Sequence, residues 1–180
     1  MDSHNELAAM IPPSAWVERY LPHIPAGGRV LDLACGNGRH VRLLAAAGHP
    51  VLAVDRDGEA LAGLAALPEV NLLVVDLETE RWPLAGQSFA GIVVTNYLWR
   101  PRLDDLVAGL APGGVLLYET FMAGNERYGK PSRPEFLLRS QELLELARRH
   151  GLTVLAYEEG YAARPKPALR QALCALRPGG

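Results

Sequence analysis

The chain has 180 residues, 49% of them apolar, with 18 Lys+Arg against 20 Asp+Glu and a formal net charge of −2. That size and composition describe one folded domain able to bury about 70% of its unfolded surface, and they argue against intrinsic disorder. The near-neutral balance argues against a dedicated nucleic-acid binder, which carries a strong basic excess. Cys35 and Cys174 form no CxxC pair, and the five histidines, at 4, 23, 40, 49 and 150, lack metal-ligand spacing. Neither a disulfide framework nor a metal site is therefore expected. Residues 1–10 are polar and acidic, without the basic start of a signal peptide, and no apolar run approaches the roughly 18 residues of a spanning helix. The expected setting is cytoplasmic, away from membranes.

In chain order, Ser14 is placed to cap a helix carrying Trp16, Val17, Tyr20 and Leu21, which Pro25-Ala26-Gly27-Gly28 ends. Arg29–Ala34 reads as a buried strand, followed by a glycine-containing turn and a helix over Arg39–Ala47. Strand Val51–Val54, helix Gly58–Ala66 and strand Asn71–Val75 come next, then strand Phe89–Thr95 after turn residues Pro83–Gln87. Pro101 suits a helix start, with Leu103, Leu106, Val107 and Leu110 as its apolar face. Pro112-Gly113-Gly114 breaks that helix before strand Val115–Glu119. Phe121–Glu135 is a polar loop, long for a compact domain, and is followed by a helix over Pro134–His150. Thr153–Tyr157 and Ala168–Leu176 read as a closing antiparallel pair at the sheet edge. The expected fold is α/β: a Rossmann-like, doubly wound, seven-stranded, mostly parallel sheet with an antiparallel C-terminal hairpin and helices on both faces. Residues 1–13 form an N-terminal segment and 14–180 one domain.

The chemistry concentrates at strand ends. Val30–Leu33 runs into Ala34-Cys35-Gly36-Asn37-Gly38, a Gly-x-Gly turn that opens a helix and faces the crevice where open α/β sheets bind ligands. A tight strand-to-helix turn needs such glycines without any ligand, so the inference rests on the set. Asp55 ends the second strand, 17 residues beyond Gly38, where a carboxylate can accept both hydroxyl protons of a ribose. Asp76, Asn96 and Glu119 end the third, fourth and fifth strands. A dinucleotide fingerprint wants a third glycine where Val41 stands, and a phosphate loop wants a Lys-Ser/Thr pair that is missing between Gly28 and Pro50.

Val30–Arg39 resembles the first motif of class I S-adenosylmethionine-dependent methyltransferases, a strand, an acid, then Gly-x-Gly. Val51–Asp57 is similar to their second-strand motif, Val74–Leu77 to the adenine-contacting segment, Phe89–Tyr97 to the fourth-strand motif, and Leu110–Tyr118 to the turn before strand five. Within the superfamily the chain looks closest to small bacterial methyltransferase-domain proteins, somewhat like tellurite-resistance methyltransferases. One departure is Cys35, where the family more often has Gly. The resemblance implies S-adenosylmethionine as methyl donor and no metal. It places Ala34, Gly36 and Gly38 around the methionine moiety and Asp32 on its amino group or ordering the turn. Asp55 and Arg56 fall beside the ribose, Asp76 and Leu77 beside adenine, and Asn96 and Tyr97 beside the sulfonium.

The implied reaction is in-line methyl transfer to an O, N or S nucleophile of a small molecule, by a monomer or homodimer. Tyr97, Tyr118 and Glu119 are candidates for a base, none of them compelled. Trp16, Tyr20, Tyr97, Trp99, Arg127 and Tyr128 are candidates for substrate contact, with the loop 121–135 as a covering element. Asn96-Tyr97-Leu98-Trp99 lacks the Asn/Asp-Pro-Pro-aromatic run of amino-directed DNA methyltransferases. Residues 1–99 carry 6 basic and 11 acidic groups, and residues 100–180 carry 12 and 9, so any basic preference belongs to the acceptor side. Two alternatives stay open: a non-catalytic S-adenosylmethionine-binding regulator, and an NAD-type oxidoreductase.

Overall fold

The structure is a computed structural model and describes residues 11–79 and 81–180; the expected N-terminal segment lies mostly outside the described residues. Ser14 takes an extended conformation and its Oγ accepts from the backbone N–H of Trp16 and Val17, which starts helix α1 (Ala15–Tyr20). The alternation then proceeds as β1 (Val30–Leu33), α2 (Arg39–Ala46), β2 (Val51–Asp55), α3 (Gly58–Ala62), β3 (Val70–Val74) and β4 (Phe89–Thr95). It closes with α4 (Leu103–Ala108), β5 (Leu110–Phe121), α5 (Glu142–Arg149), β6 (Thr153–Ala162) and β7 (Ala168–Leu176). Among the described residues no helix is long and apolar enough to cross a membrane.

The seven strands form one sheet in the order β3-β2-β1-β4-β5-β7-β6. β3 through β5 are parallel, and β7 inserts antiparallel between β5 and β6. The chain winds outward from β1 to β3, then returns to place β4 on the other side of β1. That reversal opens a crevice at the carboxyl ends of β1 and β4, since neighbouring connections leave in opposite directions.

The near-continuous apolar runs of the central strands are explained by burial on both faces. Leu31, Leu33, Val54, Ile92, Val94 and Leu116 pack under α4 and α5, while Val30, Val51, Ala53, Val93 and Leu117 pack under α1, α2 and α3. β3 sits at the open edge, and its Val74 is 58% exposed.

Several boundaries differ from the sequence-based expectation. β5 begins at Leu110 and carries Pro112-Gly113-Gly114 within it, with a register shift against β4 between Phe89 and Gly91. β6 continues to Ala162 because it pairs with β7 along its length. The expected helix over 134–150 starts only at Glu142. Pro134–Phe136 is a single 3-10 turn, and Leu138 runs beside Met122 as a parallel bridge, its N–H bonded to Phe121 O at 3.0 Å. Leucines 137 and 138 are buried through that extended pairing, not along a helix face.

Arg100 holds this segment in place. Its Nε and Nη2 donate to the two carboxylate oxygens of Glu142 at 2.7 and 2.9 Å, and its guanidinium also donates to Glu135 O at 3.0 Å and Leu137 O at 2.6 Å. Burial alone would raise the Glu142 carboxyl, but the Arg100 hydrogen bonds and the backbone N–H of Arg139 hold it below its ordinary value. Arg100→Ala is expected to destabilise the protein by about 2 kcal/mol, a fall of roughly 4–8 °C in melting temperature, because the carboxylate stays buried without its partner. A group with a lowered folded pKa stabilises above its unfolded pKa and loses that contribution as the pH falls through the folded one. The melting difference between wild type and variant is therefore expected in full at neutral pH and to close in acid.

Candidate active site

The turn after β1 is built from left-handed backbone. Ala34, Gly36 and Gly38 have φ of +54°, +54° and +76°. Gly38 then heads α2 with no side-chain cap, so the first-turn N–H groups of that helix face the turn, while those of Cys35, Gly36 and Gly38 bond to Val54 O, the Asp55 carboxylate and Cys35 O. Glycine is favoured at all three positions because Cβ crowds the following carbonyl there. The departure read at Cys35 therefore belongs to its neighbour: Ala34 is the residue with a side chain where the backbone favours glycine. Ala34→Gly is expected to stabilise the protein by about 0.5–1 kcal/mol, relief of strain exceeding the added freedom of the unfolded chain. Thermal melting of the two proteins checks it. Cys35 itself is buried, and burial with the nearby Asp32 and Asp55 charges pushes its thiol far up, away from nucleophilic chemistry.

Asp55, at the end of β2, ties this turn to its own loop. Its Oδ2 accepts the Gly36 N–H at 2.8 Å and its Oδ1 accepts the Asp57 N–H at 2.9 Å. Asp57 in turn caps α3 through the N–H groups of Glu59 and Ala60. Arg56 is exposed on the rim.

Asp32 is the anomaly of the site. It is 1% exposed, and no side chain among the described residues donates a hydrogen bond to it; the Val41 backbone N–H faces it without forming a well-aligned bond. Burial pushes its pKa from 3.8 up to about 8, against the attraction of Arg39 and the Val41 N–H and with the repulsion of Asp55. A buried carboxyl this poor in donors is costly to keep, and such groups mark places built to receive one.

At the ends of the other strands, Asp76 is exposed and accepts the Glu78 N–H at 2.9 Å, with Leu77 buried beside it. Asn96 has φ +56° and accepts from Arg170 Nη2 at 2.6 Å. Tyr97 is half-buried with an unpartnered hydroxyl, and its carbonyl accepts the Tyr118 hydroxyl at 2.8 Å. Burial raises both phenols well above their ordinary range, so neither is a phenolate near neutrality. Tyr97, Trp99, Leu33, Trp82, Leu103 and Tyr118 line a shallow recess that opens to solvent.

Glu119, at the end of β5, is held from both sides. Ser14 Oγ donates to its Oε2, and Arg170 Nε donates to Oε1 at 3.2 Å. Arg170 also lies over the Phe121 ring at 4.4 Å. The Ser14 N–H donates to His40 Nε2 at 2.9 Å, and His40 Nδ1 lies 3.4 Å from Thr95 Oγ1. Burial, with the Arg39 charge, pushes His40 down to about 3, so the ring is neutral and its Nε2 is free to accept.

Ser14, His40 and Arg170 were missed as site residues when the sequence was read alone. Ser14 carried a cap signal and His40 adjoins the glycine turn, but Arg170 had no local signal, because only the insertion of β7 beside β5 brings it there.

The expected substrate-contact residues separate in space. Trp16 is 7% exposed, its indole N–H bonded to Leu173 O at 3.2 Å, so packing occupies it. Tyr20 rests on Trp16 at a centroid distance of 4.5 Å. Tyr97 and Trp99 line the recess, whereas Arg127 and Tyr128 are exposed on the loop after β5. That loop is anchored: Asn125, 1% exposed, accepts the Leu169 N–H at 3.1 Å and donates to Pro131 O at 3.0 Å.

The strand order, the antiparallel closing pair and the glycine turn ahead of α2 agree with the fold of class I S-adenosylmethionine-dependent methyltransferases. A sequence family described as a methyltransferase domain matches residues 30–114. The chain is similar to the tRNA U34 carboxymethyltransferase of Ectopseudomonas mendocina, 32% identical over an alignment of 116 residues that covers 58% of this chain and 36% of that protein. The enzyme of that name from Pseudomonas aeruginosa is 34% identical over 116 residues, with the same shares of the two chains. The chain thus spans little more than a third of the length of these curated relatives. In fold it resembles TehB from Haemophilus influenzae (TM-score 0.74, 20% identity, 90% of this chain and 61% of that one). A TehB-like methyltransferase from Corynebacterium glutamicum is also similar (TM-score 0.68, 23% identity, 97% and 93%).

The fold class, and the similarity to methyltransferase domains, agree with the expectation from the motifs. The exclusion of nucleic acid as a partner does not stand, because relatives sharing this domain are named for tRNA. Net charge misled because it averages two halves of opposite sign, whereas binding responds to the local potential of one face.

Proposed function

We propose that the chain binds S-adenosylmethionine across the carboxyl ends of β1 and β2 and transfers its methyl group to an acceptor on RNA held at the ends of β4 and β5. The observation that carries the reading is the buried Asp32 carboxylate beside the glycine turn, to which no described side chain donates a hydrogen bond. The donor's amino group is a cation with several N–H groups, able to give this carboxylate the direct charged donor that the described side chains do not. The left-handed turn at Ala34, Gly36 and Gly38 lets backbone N–H groups approach the methionine carboxylate, and Asp55 offers two acceptor oxygens to ribose hydroxyls. Asp76 and Leu77 fall to the adenine end, and Asn96 with the Tyr97 carbonyl to the sulfonium end.

Bound there, S-adenosylmethionine supplies a methyl group on a sulfonium, open to in-line displacement by a nucleophile. The protein's part is alignment and exclusion of water. Glu119 stands near the end of β5, on the acceptor side of the crevice, and Ser14 and Arg170 fix its orientation. It takes the proton where the acceptor must lose one; the phenols of Tyr97 and Tyr118, held neutral, serve as walls. Relatives named as tRNA U34 carboxymethyltransferases support RNA as the acceptor class.

The test is transfer of labelled methyl to tRNA, compared with thiols, small acids and phenols, alongside calorimetry with S-adenosylmethionine and its demethylated product. Transfer to tRNA supports the proposal. Binding without transfer to any acceptor favours a regulator, and the absence of binding heat sinks the site assignment.

A further inference from the structure

The sheet edge beside this cleft carries a surface that the methyl-donor site leaves unused. β7 begins and β6 ends at the same side of the sheet as the end of β5, since Phe121 pairs with Arg170 and Ala162 with Ala168. Two connections meet there, the loop after β5 and the β6–β7 turn. Tyr128 from the first and Tyr161 from the end of β6 pack ring on ring at 5.6 Å, yet they remain 47% and 59% exposed. Around them stand the exposed cations Arg127 and Lys130 on the loop and Arg164 and Lys166 on the turn. The turn contains no acid, and of the loop's two acids Glu126 has its carboxylate turned to the Gly124 N–H at 2.9 Å and Glu135 pairs with Arg133.

We infer that this aromatic pair with its four cations is a docking surface for single-stranded RNA, an unpaired base stacking on the tyrosines while the flanking phosphates meet the cations. The inference rests on the proposed RNA acceptor and deepens it. Exposed aromatic faces are the usual platform for unpaired bases, and surrounding basic residues supply sequence-independent affinity. The surface is preorganised, because Asn125 bonds both to Leu169 and to Pro131 and so fixes the loop on β7. It also leads to the cleft: Leu169 adjoins Arg170, whose guanidinium reaches Asn96 and Glu119 at the ends of β4 and β5.

The experiment is fluorescence anisotropy of the full chain with a labelled RNA hairpin bearing a single-stranded loop, against a blunt RNA duplex of equal length. Salt is varied, and product binding is measured by calorimetry on every variant. Four phosphate contacts to a single strand predict a slope of log affinity against log salt of about −3, and R164A/K166A is expected to flatten it by about 1.4. Y128A/Y161A is expected to weaken hairpin binding about tenfold with the slope unchanged. R148A, at the far end of α5, is expected to change neither. Duplex bound as tightly as hairpin, no measurable hairpin binding, or variants indistinguishable from wild type would each overturn the inference. Retained binding of S-adenosylmethionine and its demethylated product in those same samples separates this failure from failure of the donor site.

Discussion

Asp32→Asn is expected to raise the melting temperature of the ligand-free protein at pH 8 while weakening its hold on S-adenosylmethionine at least tenfold. Both effects come from one buried carboxyl. Burial lifts its folded pKa from 3.8 to about 8. Between those values the folded protein keeps a proton that the unfolded chain has lost. Wild-type stability therefore declines as pH rises through that window and is lowest above it. The amide needs no such proton, so the variant lacks the decline, and the gain at pH 8 is on the order of 1–3 kcal/mol. The same carboxyl must ionise to pair with an ammonium group, so binding releases a proton below pH 8. Affinity for S-adenosylmethionine is expected to rise by up to tenfold per pH unit toward the region of pH 8 and then to fall, because the ligand's own α-amino group loses its proton there. Binding heats in buffers of different ionisation enthalpy should differ for wild type and agree for the variant. A variant that keeps the wild-type pH dependence would remove Asp32 from the donor site.

Asp55→Ala is expected to weaken both S-adenosylmethionine and its demethylated product by about a hundredfold. Two charge-assisted hydrogen bonds to ribose hydroxyls are lost, each contributing about 1.5–3 kcal/mol in the absence of compensation. The carboxylate also holds the N–H groups of Gly36 and Asp57, so the variant loosens the turn as well as the ribose contact. Asp55→Asn keeps one acceptor oxygen and is expected to fall between wild type and alanine. Equal affinity in all three proteins would show that the ribose lies elsewhere.

Much of this was legible from the chain. The apolar runs ending in Asp55, Asp76, Asn96 and Glu119 marked parallel strands and their functional ends, because central strands buried on both faces are apolar along their length and become polar where they meet the crevice. The edge hairpin was visible in the short connection between its strands. The helix expected over 134–150 was not found in full, since leucines 137 and 138 satisfy helical spacing and extended pairing equally well until Met122 and Arg100 are in place. Cys35 drew attention as the odd residue of the turn, but a backbone angle, invisible in sequence, moved the oddity to Ala34. Trp16 and Tyr20, one turn apart, looked able to close a pocket, and the Leu173 carbonyl instead claims the indole.

The sequence by itself determined the α/β class, the strand ends that face the crevice and the acids set there, because these follow from hydrophobic period and from the turn chemistry of adjacent residues. Only the tertiary structure decided which distant groups share the site. Arg170 reaches Glu119 and Asn96 because β7 inserts beside β5, and Ser14 reaches Glu119 and His40 because α1 folds back over the sheet. The tyrosines at 128 and 161 meet only where loop and edge strand converge. Such contacts are set by packing between elements far apart in the chain, and local propensity carries no information about them.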